Sequence, residues 1–340
     1  MQKVLKLGLL GCGRLGRLHA DNIHNYVPEA EIVMAADPFM NEEMAAWANS
    51  AGIPKTTNDP DEVIAADEVE AVFICSSANT HSEYIIKAAQ AGKDIFCEKP
   101  IHTDIPGIMA ALDAVEKAGV KLQIGFNRRF DPSHRKVREV VASGELGKPY
   151  VVKITSRDSI GPSMEYVKNS GGLFFDMMIH DFDMARYISG SEIEEIYVIG
   201  AVLTDPRYAD YDDIDTAIVT MKFADGTIGV VDGCRTAPYG YDQRVEVHCE
   251  KGCVQDTNKL NHKATISTAD GVTSSKPKWF FLERYSQAFV EEEKAFVNSI
   301  LHDEPVQVTG YDGLIPVKVA IAAKISLKEG RPVKISEITG

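Results

Sequence analysis

Leu5-Lys6-Leu7-Gly8-Leu9-Leu10-Gly11-Cys12-Gly13-Arg14-Leu15-Gly16 decides how the chain begins to fold. A short apolar run ends in G-x-G-x-x-G, and Leu15–Tyr26 behind it can form a helix. In that strand–turn–helix context the motif signals a dinucleotide site rather than a bare glycine turn. The first glycine permits the tight turn, the second lets the backbone approach a pyrophosphate, and the third allows close helix–strand packing. The helix N-terminus then offers N–H groups and partial positive charge to the anion. Gly11, Gly13, Arg14, Leu15 and Gly16 are therefore expected at the phosphates.

Working outward, a second apolar run, Glu31–Ala36, ends at Asp37, about 20 residues past the glycines, where a carboxylate hydrogen-bonds the adenosine ribose. That carboxylate would repel a ribose phosphate, and Pro38-Phe39 brings no Arg to offset it, so NAD is expected over NADP. Short apolar runs then alternate with helical stretches. Asn41–Ala51, Ser82–Ala91 and Ile105–Ala118 read as helices closed by Gly52, Gly92 and Gly119; Ala71–Cys75, Asp94–Cys97 and Lys121–Ile124 read as strands. The alternation indicates βαβ units and a parallel, doubly wound sheet. Loops at the carboxyl ends of such strands face the ligand crevice. Ser76, Asn79 and His81 follow the Ala71–Cys75 strand, and Glu98 and Lys99 follow Asp94–Cys97, so all five are expected beside the cofactor. His81 reads equally well as a residue that flanks the nicotinamide and as one that packs at its helix start.

Beyond this third of the chain the pattern changes. Pro132–Val141 looks helical, after which longer alternating runs appear: Tyr150–Thr155, Ile193–Leu203, Thr216–Phe223, Thr227–Cys234 and Arg244–Cys249. Ala224-Asp225-Gly226 between two of them is a hairpin signal. Glu283–Leu301 and Tyr311–Lys328 read as late helices. The fold class expected is α/β: a doubly wound N-terminal domain over 1–125, joined near Ile124–Arg129 to an α+β domain over 126–340 with a large, mostly antiparallel open sheet. A chain of 340 residues is long enough for about two domains.

Charge narrows the partners. Lys plus Arg number 36 against 50 Asp plus Glu, a formal net charge of −14, which repels nucleic-acid phosphates and anionic lipid. No apolar run reaches the roughly 20 residues that span a bilayer. The first residues read as a strand rather than a signal peptide. The six cysteines lie mostly in apolar runs and suggest reduced, buried thiols in a cytoplasmic protein. His248-Cys249 with Cys253 hints at metal spacing, but Val245–Val254 reads as strand, Lys-Gly turn, strand, with no second ligand pair; no metal is expected.

Two stretches carry chemistry. Cys97-Glu98-Lys99-Pro100 ends a strand, so the Lys99 ammonium would point into the crevice and stabilise an oxyanion as hydride departs. Lys99–Pro100 is a candidate for a cis bond, because cis X-Pro bonds are found in tight turns of this kind. In Gly171-Gly172-Leu173-Phe174-Phe175-Asp176-Met177-Met178-Ile179-His180-Asp181-Phe182-Asp183, a continuous helix would align Asp176, His180 and Asp183 on one face. A carboxylate beside an imidazole fixes its tautomer and raises its basicity, as a general base requires.

Gly11–Gly16, Glu98-Lys99-Pro100 and the Asp176–Tyr187 run together resemble the glucose-fructose oxidoreductase/inositol dehydrogenase superfamily, over essentially the whole chain including Tyr311-Asp312-Gly313. Phe126–Asp131 and Thr155–Asp158 are similar to its inositol 2-dehydrogenase branch. The resemblance implies a Rossmann domain, NAD as cofactor, a small polyol as substrate and a homotetramer packed through the open sheets. It implies Lys99, Asp176 and His180 as the catalytic trio and Arg129, Asp183 and Tyr239 as substrate-hydroxyl contacts, with Asp158 in the same pocket. The branch usually has a proline-rich loop after Asp158; this chain has Ser159-Ile160-Gly161-Pro162, which leaves the stereoisomer open. The expectation is oxidation of the axial hydroxyl of myo-inositol, with another polyol or sugar as the alternative. A non-catalytic NAD-sensing regulator would lack the trio, which is complete here.

Overall fold

A computed structural model describes residues 3–339. The chain divides into two compact units, one of residues 3–130 with Gln287–Val317, the other of Asp131–Ser286 with residues 318–339.

The first unit is built on six strands: β1 (Leu5–Leu10), β2 (Ala30–Ala36), β3 (Lys55–Thr57), β4 (Ala71–Ile74), β5 (Asp94–Glu98) and β6 (Leu122–Gly125). Their order is β3-β2-β1-β4-β5-β6, and every pairing is parallel. This is the doubly wound arrangement expected, with the strand order reversing between β1 and β4. The central strands β1 and β4 are buried almost throughout, which is why they read as near-continuous apolar runs. Ile105–Ala118 starts on Asp104, whose side chain accepts from the Gly107 amide, and stops at Gly119 with φ 69°.

One helix of this unit comes from far downstream. Ser286–Leu301 brings Phe296 edge-on against Phe73 of β4, and Phe73 stacks on Phe96 of β5 with centroids 4.5 Å apart. The single join expected near Ile124–Arg129 therefore describes only part of the division. The first segment runs to Phe130, and Gln287–Val317 returns to the first unit because its apolar face belongs to that core.

The second unit carries β7 (Pro149–Arg157), β8 (Ile193–Ala201), β9 (Thr216–Phe223), β10 (Ile228–Cys234), β11 (Asp242–Cys249), β12 (Gly252–Asp256) and β15 (Val333–Lys334), in the order β12-β11-β7-β10-β9-β8-β15. Only β7 and β10 pair in parallel; the other neighbours are antiparallel. Alternation along β9 buries Ala217, Val219, Met221 and Phe223 and leaves Ile218, Thr220 and Lys222 outside. A separate hairpin, β13 (Thr265–Thr268) with β14 (Gly271–Ser274), is exposed along its length. β11 and β12 form the expected strand–turn–strand, with His248 opposite Cys253.

Candidate active site

The glycine loop meets the demands of each of its three positions. Gly11 has φ +99°, and a Cβ there would fall 2.7 Å from the Cys75 backbone. A Cβ on Gly16 would come within 1.9 Å of the Gly11 carbonyl oxygen, so the helix Arg14–Tyr26 packs on the loop as only glycine permits. At Gly13 a Cβ would meet nothing within 4 Å. Gly13 also caps the helix without a side chain, which leaves the helix start open to an anion. This cradle fits a dinucleotide pyrophosphate. Asp37, at the end of β2, accepts from the Cys12 amide at 2.8 Å and from the Phe39 amide at 2.9 Å, which fixes the carboxylate beside the loop. Burial and then the Asp37 charge push the Cys12 thiol up to about 12, so it is no nucleophile.

The loop after β4 holds Ser76, whose hydroxyl meets that of Thr80 at 2.7 Å, and an exposed Asn79. His81 is buried. Its Nδ1 lies 2.8 Å from the Pro100 carbonyl and its Nε2 3.0 Å from the Ser76 carbonyl, and burial holds its pKa below the usual histidine range. The ring ties the loops after β4 and β5 together. Lys99 is half-buried at the end of β5, before a cis bond to Pro100.

Glu98, expected beside the cofactor, has its carboxylate engaged inside the unit. It is buried, and its Oε1 sits 3.0 Å from Nε2 of His19 on the Arg14–Tyr26 helix. Nδ1 of the same ring lies 2.7 Å from Oε1 of Glu293, which also accepts from Asn22. Burial opposes protonation of His19, yet the hydrogen bonds to Glu293 and Glu98 outweigh it and raise the ring to about 10. Glu292 is buried beside them and stands well above the usual carboxylate range, first through burial and then through the Glu98 charge. Arg129, expected on the substrate, is buried and donates through Nη2 to Asp312 at 2.9 Å.

In the second unit, the helix expected through Asp176, His180 and Asp183 is broken. Leu173–Asp176 ends, Met177 and Met178 form a turn, and Ile179–Ser189 begins anew. The Met178 amide reaches back five residues to the Leu173 carbonyl and the His180 amide only three to Met177, so the 3.6-residue register that would align all three is interrupted. His180 and Asp183 share the second helix, with Asp183 fully buried. The Tyr166 hydroxyl donates to Oδ1 of Asp176 at 2.8 Å, and Nη1 of Arg235 donates to Oδ2 at 2.7 Å. Neither Tyr166 nor Arg235 carries a motif signature. Asp158 is anchored by its amide on the Cys234 carbonyl, with Oδ2 at 4.0 Å from Nη1 of Arg235. Tyr239 donates to Asp242 at 2.6 Å and accepts from Arg157 at 3.0 Å; Arg157 in turn pairs with Asp232.

Two further groups have metal-ligand character, and side chains already complement both. In the group of His19, Glu98 and Glu292, both ring nitrogens of His19 are already engaged, by Glu98 and Glu293. Asp131, His134 and Asp256 are served by Arg284, 2.6 Å from Asp131 and 3.1 Å from Asp256, and by Lys259, 2.9 Å from Asp131.

Comparison with known proteins agrees with this architecture. Residues 5–126 match the oxidoreductase family with an NAD-binding Rossmann fold, and residues 134–255 match the GFO/IDH/MocA C-terminal domain. The chain is 45% identical over 335 residues to an uncharacterized oxidoreductase, YrbE, of Bacillus subtilis, covering 98% of each. It is 41% identical to myo-inositol 2-dehydrogenase of Thermotoga maritima, over 99% of this chain and 100% of that one. Among solved structures, scyllo-inositol dehydrogenase from Lactobacillus casei with bound NAD(H) and scyllo-inositol superposes with a TM-score of 0.91 at 33% identity, over 98% of this chain and 100% of that one. With both halves of the family matched and the glycine cradle in place, the chain belongs to the GFO/IDH/MocA oxidoreductases and takes NAD as its cofactor.

Proposed function

We propose that the protein is an NAD-dependent inositol 2-dehydrogenase that oxidises the axial hydroxyl of myo-inositol to 2-keto-myo-inositol (scyllo-inosose). The observation that carries this reading is the Asp176 carboxylate, gripped on both oxygens by Tyr166 and Arg235 and four residues ahead of His180. A fixed carboxylate next to an imidazole in the chain is the equipment of a general base. Full-length likeness to inositol dehydrogenases supports the substrate class.

In this mechanism His180 accepts the hydroxyl proton. Asp176 orients the ring and compensates its positive charge. Lys99 donates a hydrogen bond to the reacting oxygen and stabilises the negative charge that grows as the ring C–H bond breaks. Bound NAD supplies the hydride acceptor, so alcohol and NAD yield ketone, NADH and one proton. Asp158, Asp183, Tyr239 and Arg129 bind the remaining hydroxyls, since each buried donor or acceptor of a polyol needs a partner. Lys99→Ala and His180→Ala should each lower kcat by at least about 10²-fold, within the range of general acid–base catalysis, with NADH affinity unchanged. Turnover retained in either variant refutes that residue's role.

A second stereochemical reading has its own support. The L. casei enzyme acts on scyllo-inositol, and the loop after Asp158 departs from the proline-rich form. In that reading the same residues oxidise an equatorial hydroxyl.

We further propose a cytoplasmic homotetramer. All six cysteines are free, as a reducing compartment favours, and no described helix is long and apolar enough to cross a membrane. Ile199 of β8, Ile218 of β9 and Ile228 of β10 stand exposed on the outer face of the open sheet, the surface two sheets would bury against each other.

A further inference from the structure

Arg235 follows β10 and is 1% exposed, one of the largest fully buried side chains of the protein. A guanidinium taken out of water must be matched by charge. Asp176 supplies the hydrogen bond, Oδ2 to Nη1 at 2.7 Å. Asp158, from the end of β7, places Oδ2 at 4.0 Å. The Asp213 carboxylate also acts on Arg235, and the Tyr208 ring senses its charge. Asp215 meets it only through the main chain, with its carbonyl accepting the Arg235 amide at 2.8 Å; the Asp215 carboxylate is taken up by the amides of Leu203, Thr204 and Asp205. The cation thus bonds Asp176 and lies beside Asp158, while Asp213 accepts the Leu173 amide at 2.9 Å. Asp176 differs from the other two because its second oxygen is also pinned, by the Tyr166 hydroxyl at 2.8 Å. Two bonds on opposite oxygens set the plane of the carboxylate.

We propose that Arg235 is a positioning residue for the reaction assigned above, holding Asp176 ionised and in one plane so that it can serve His180. The proposal rests on the reading of Asp176 and His180 as working partners. Without the cation, Asp176 loses the charge that holds it ionised and takes a proton more readily, and a neutral Asp176 no longer supports an imidazolium. If Asp176 stays ionised instead, His180 becomes more basic, because no cation offsets the carboxylate. Both routes move the working state, Asp176 ionised and His180 neutral, to higher pH. The acid limb of kcat must therefore rise when Arg235 loses its charge.

The test is kcat, KM for inositol and KM for NAD against pH in Arg235→Gln, Arg235→Lys and Tyr166→Phe. Arg235→Gln should lower kcat about 10²-fold through misplacement of Asp176. Its acid limb should rise by about one pH unit, with KM for NAD unchanged. Arg235→Lys should restore the acid limb but not the full kcat, because an ammonium is a point charge and not a fork. Tyr166 is half-exposed, so Tyr166→Phe should fold normally and shift the limb in the same direction with a several-fold loss of kcat. A lower melting temperature in Arg235→Gln with wild-type kcat and acid limb would mean a purely structural role and overturn the proposal. Should that variant not fold, unchanged limbs in Arg235→Lys and Tyr166→Phe would overturn it equally. Retained turnover in His180→Ala would instead sink the underlying catalytic reading, whatever the Arg235 profiles show.

Discussion

A methyl group added at Gly13 and one added at Gly16 meet opposite fates. At Gly13 it finds open space, so the fold of Gly13→Ala should be untouched and the bound pyrophosphate should meet the methyl. We expect an unchanged melting temperature and an NADH Kd at least about tenfold higher, a loss of about 1.4 kcal/mol. At Gly16 the methyl would sit 1.9 Å from a backbone oxygen that cannot move without the loop. Gly16→Ala should lose both melting temperature and NADH binding, and calorimetry beside fluorescence titration separates the two. These glycines, like Asp37, were legible in the sequence because the demands on them are local. Glu98 was not. Its carboxylate is received by His19, 79 residues away in sequence, a tertiary contact. Arg235 and Tyr166 had no spacing signature at all; what joins them to Asp176 is tertiary, across 59 and 10 residues of sequence.

At the scale of elements, most of the parallel strands and their helices lie within one or two residues of the positions the sequence indicates, β3 and the short helix Pro60–Ala65 excepted. It did not show the turn at Met177–Met178, because extrapolating a 3.6-residue period assumes no interruption. Nor did it show that Ser286–Leu301 belongs to the first unit, a fact written in the packing of Phe296 on Phe73. That helix brings Glu292 and Glu293 to His19 and creates a pH dependence. His19 binds its proton more tightly folded than unfolded, with a folded value about 10 against an ordinary 6.5. Its stabilisation is complete below about pH 6.5 and fades as pH rises through about 10. Glu292 and Glu293 are also raised and act with the same sign. Melting temperature should therefore fall between neutral and alkaline pH in the wild type. His19→Gln should start lower at neutral pH and fall less steeply. Parallel slopes in a thermal-shift pH series would show that His19 carries no such charge.

Over the whole molecule, the change of pattern along the chain indicates two kinds of sheet, and both are present: a parallel doubly wound sheet and a mostly antiparallel one. The small pieces β3, β13, β14 and β15 escaped, since two to four residues carry no periodicity to read. An open sheet with isoleucines on its outer face should pair with another, and light scattering should give a tetramer at micromolar concentration. Ile218→Glu would place charge in that contact and should shift the mass downward; a wild-type monomer would remove the sheet face from the interface. Substrate oxidation itself is read in a single assay. NADH formation is followed with myo-inositol, scyllo-inositol, D-glucose and D-xylose, each with NAD and with NADP. The account predicts fast reduction of NAD by myo-inositol, slow or no reduction of NADP, and little turnover of the sugars. Turnover of neither inositol by a protein that still binds NADH would contradict it.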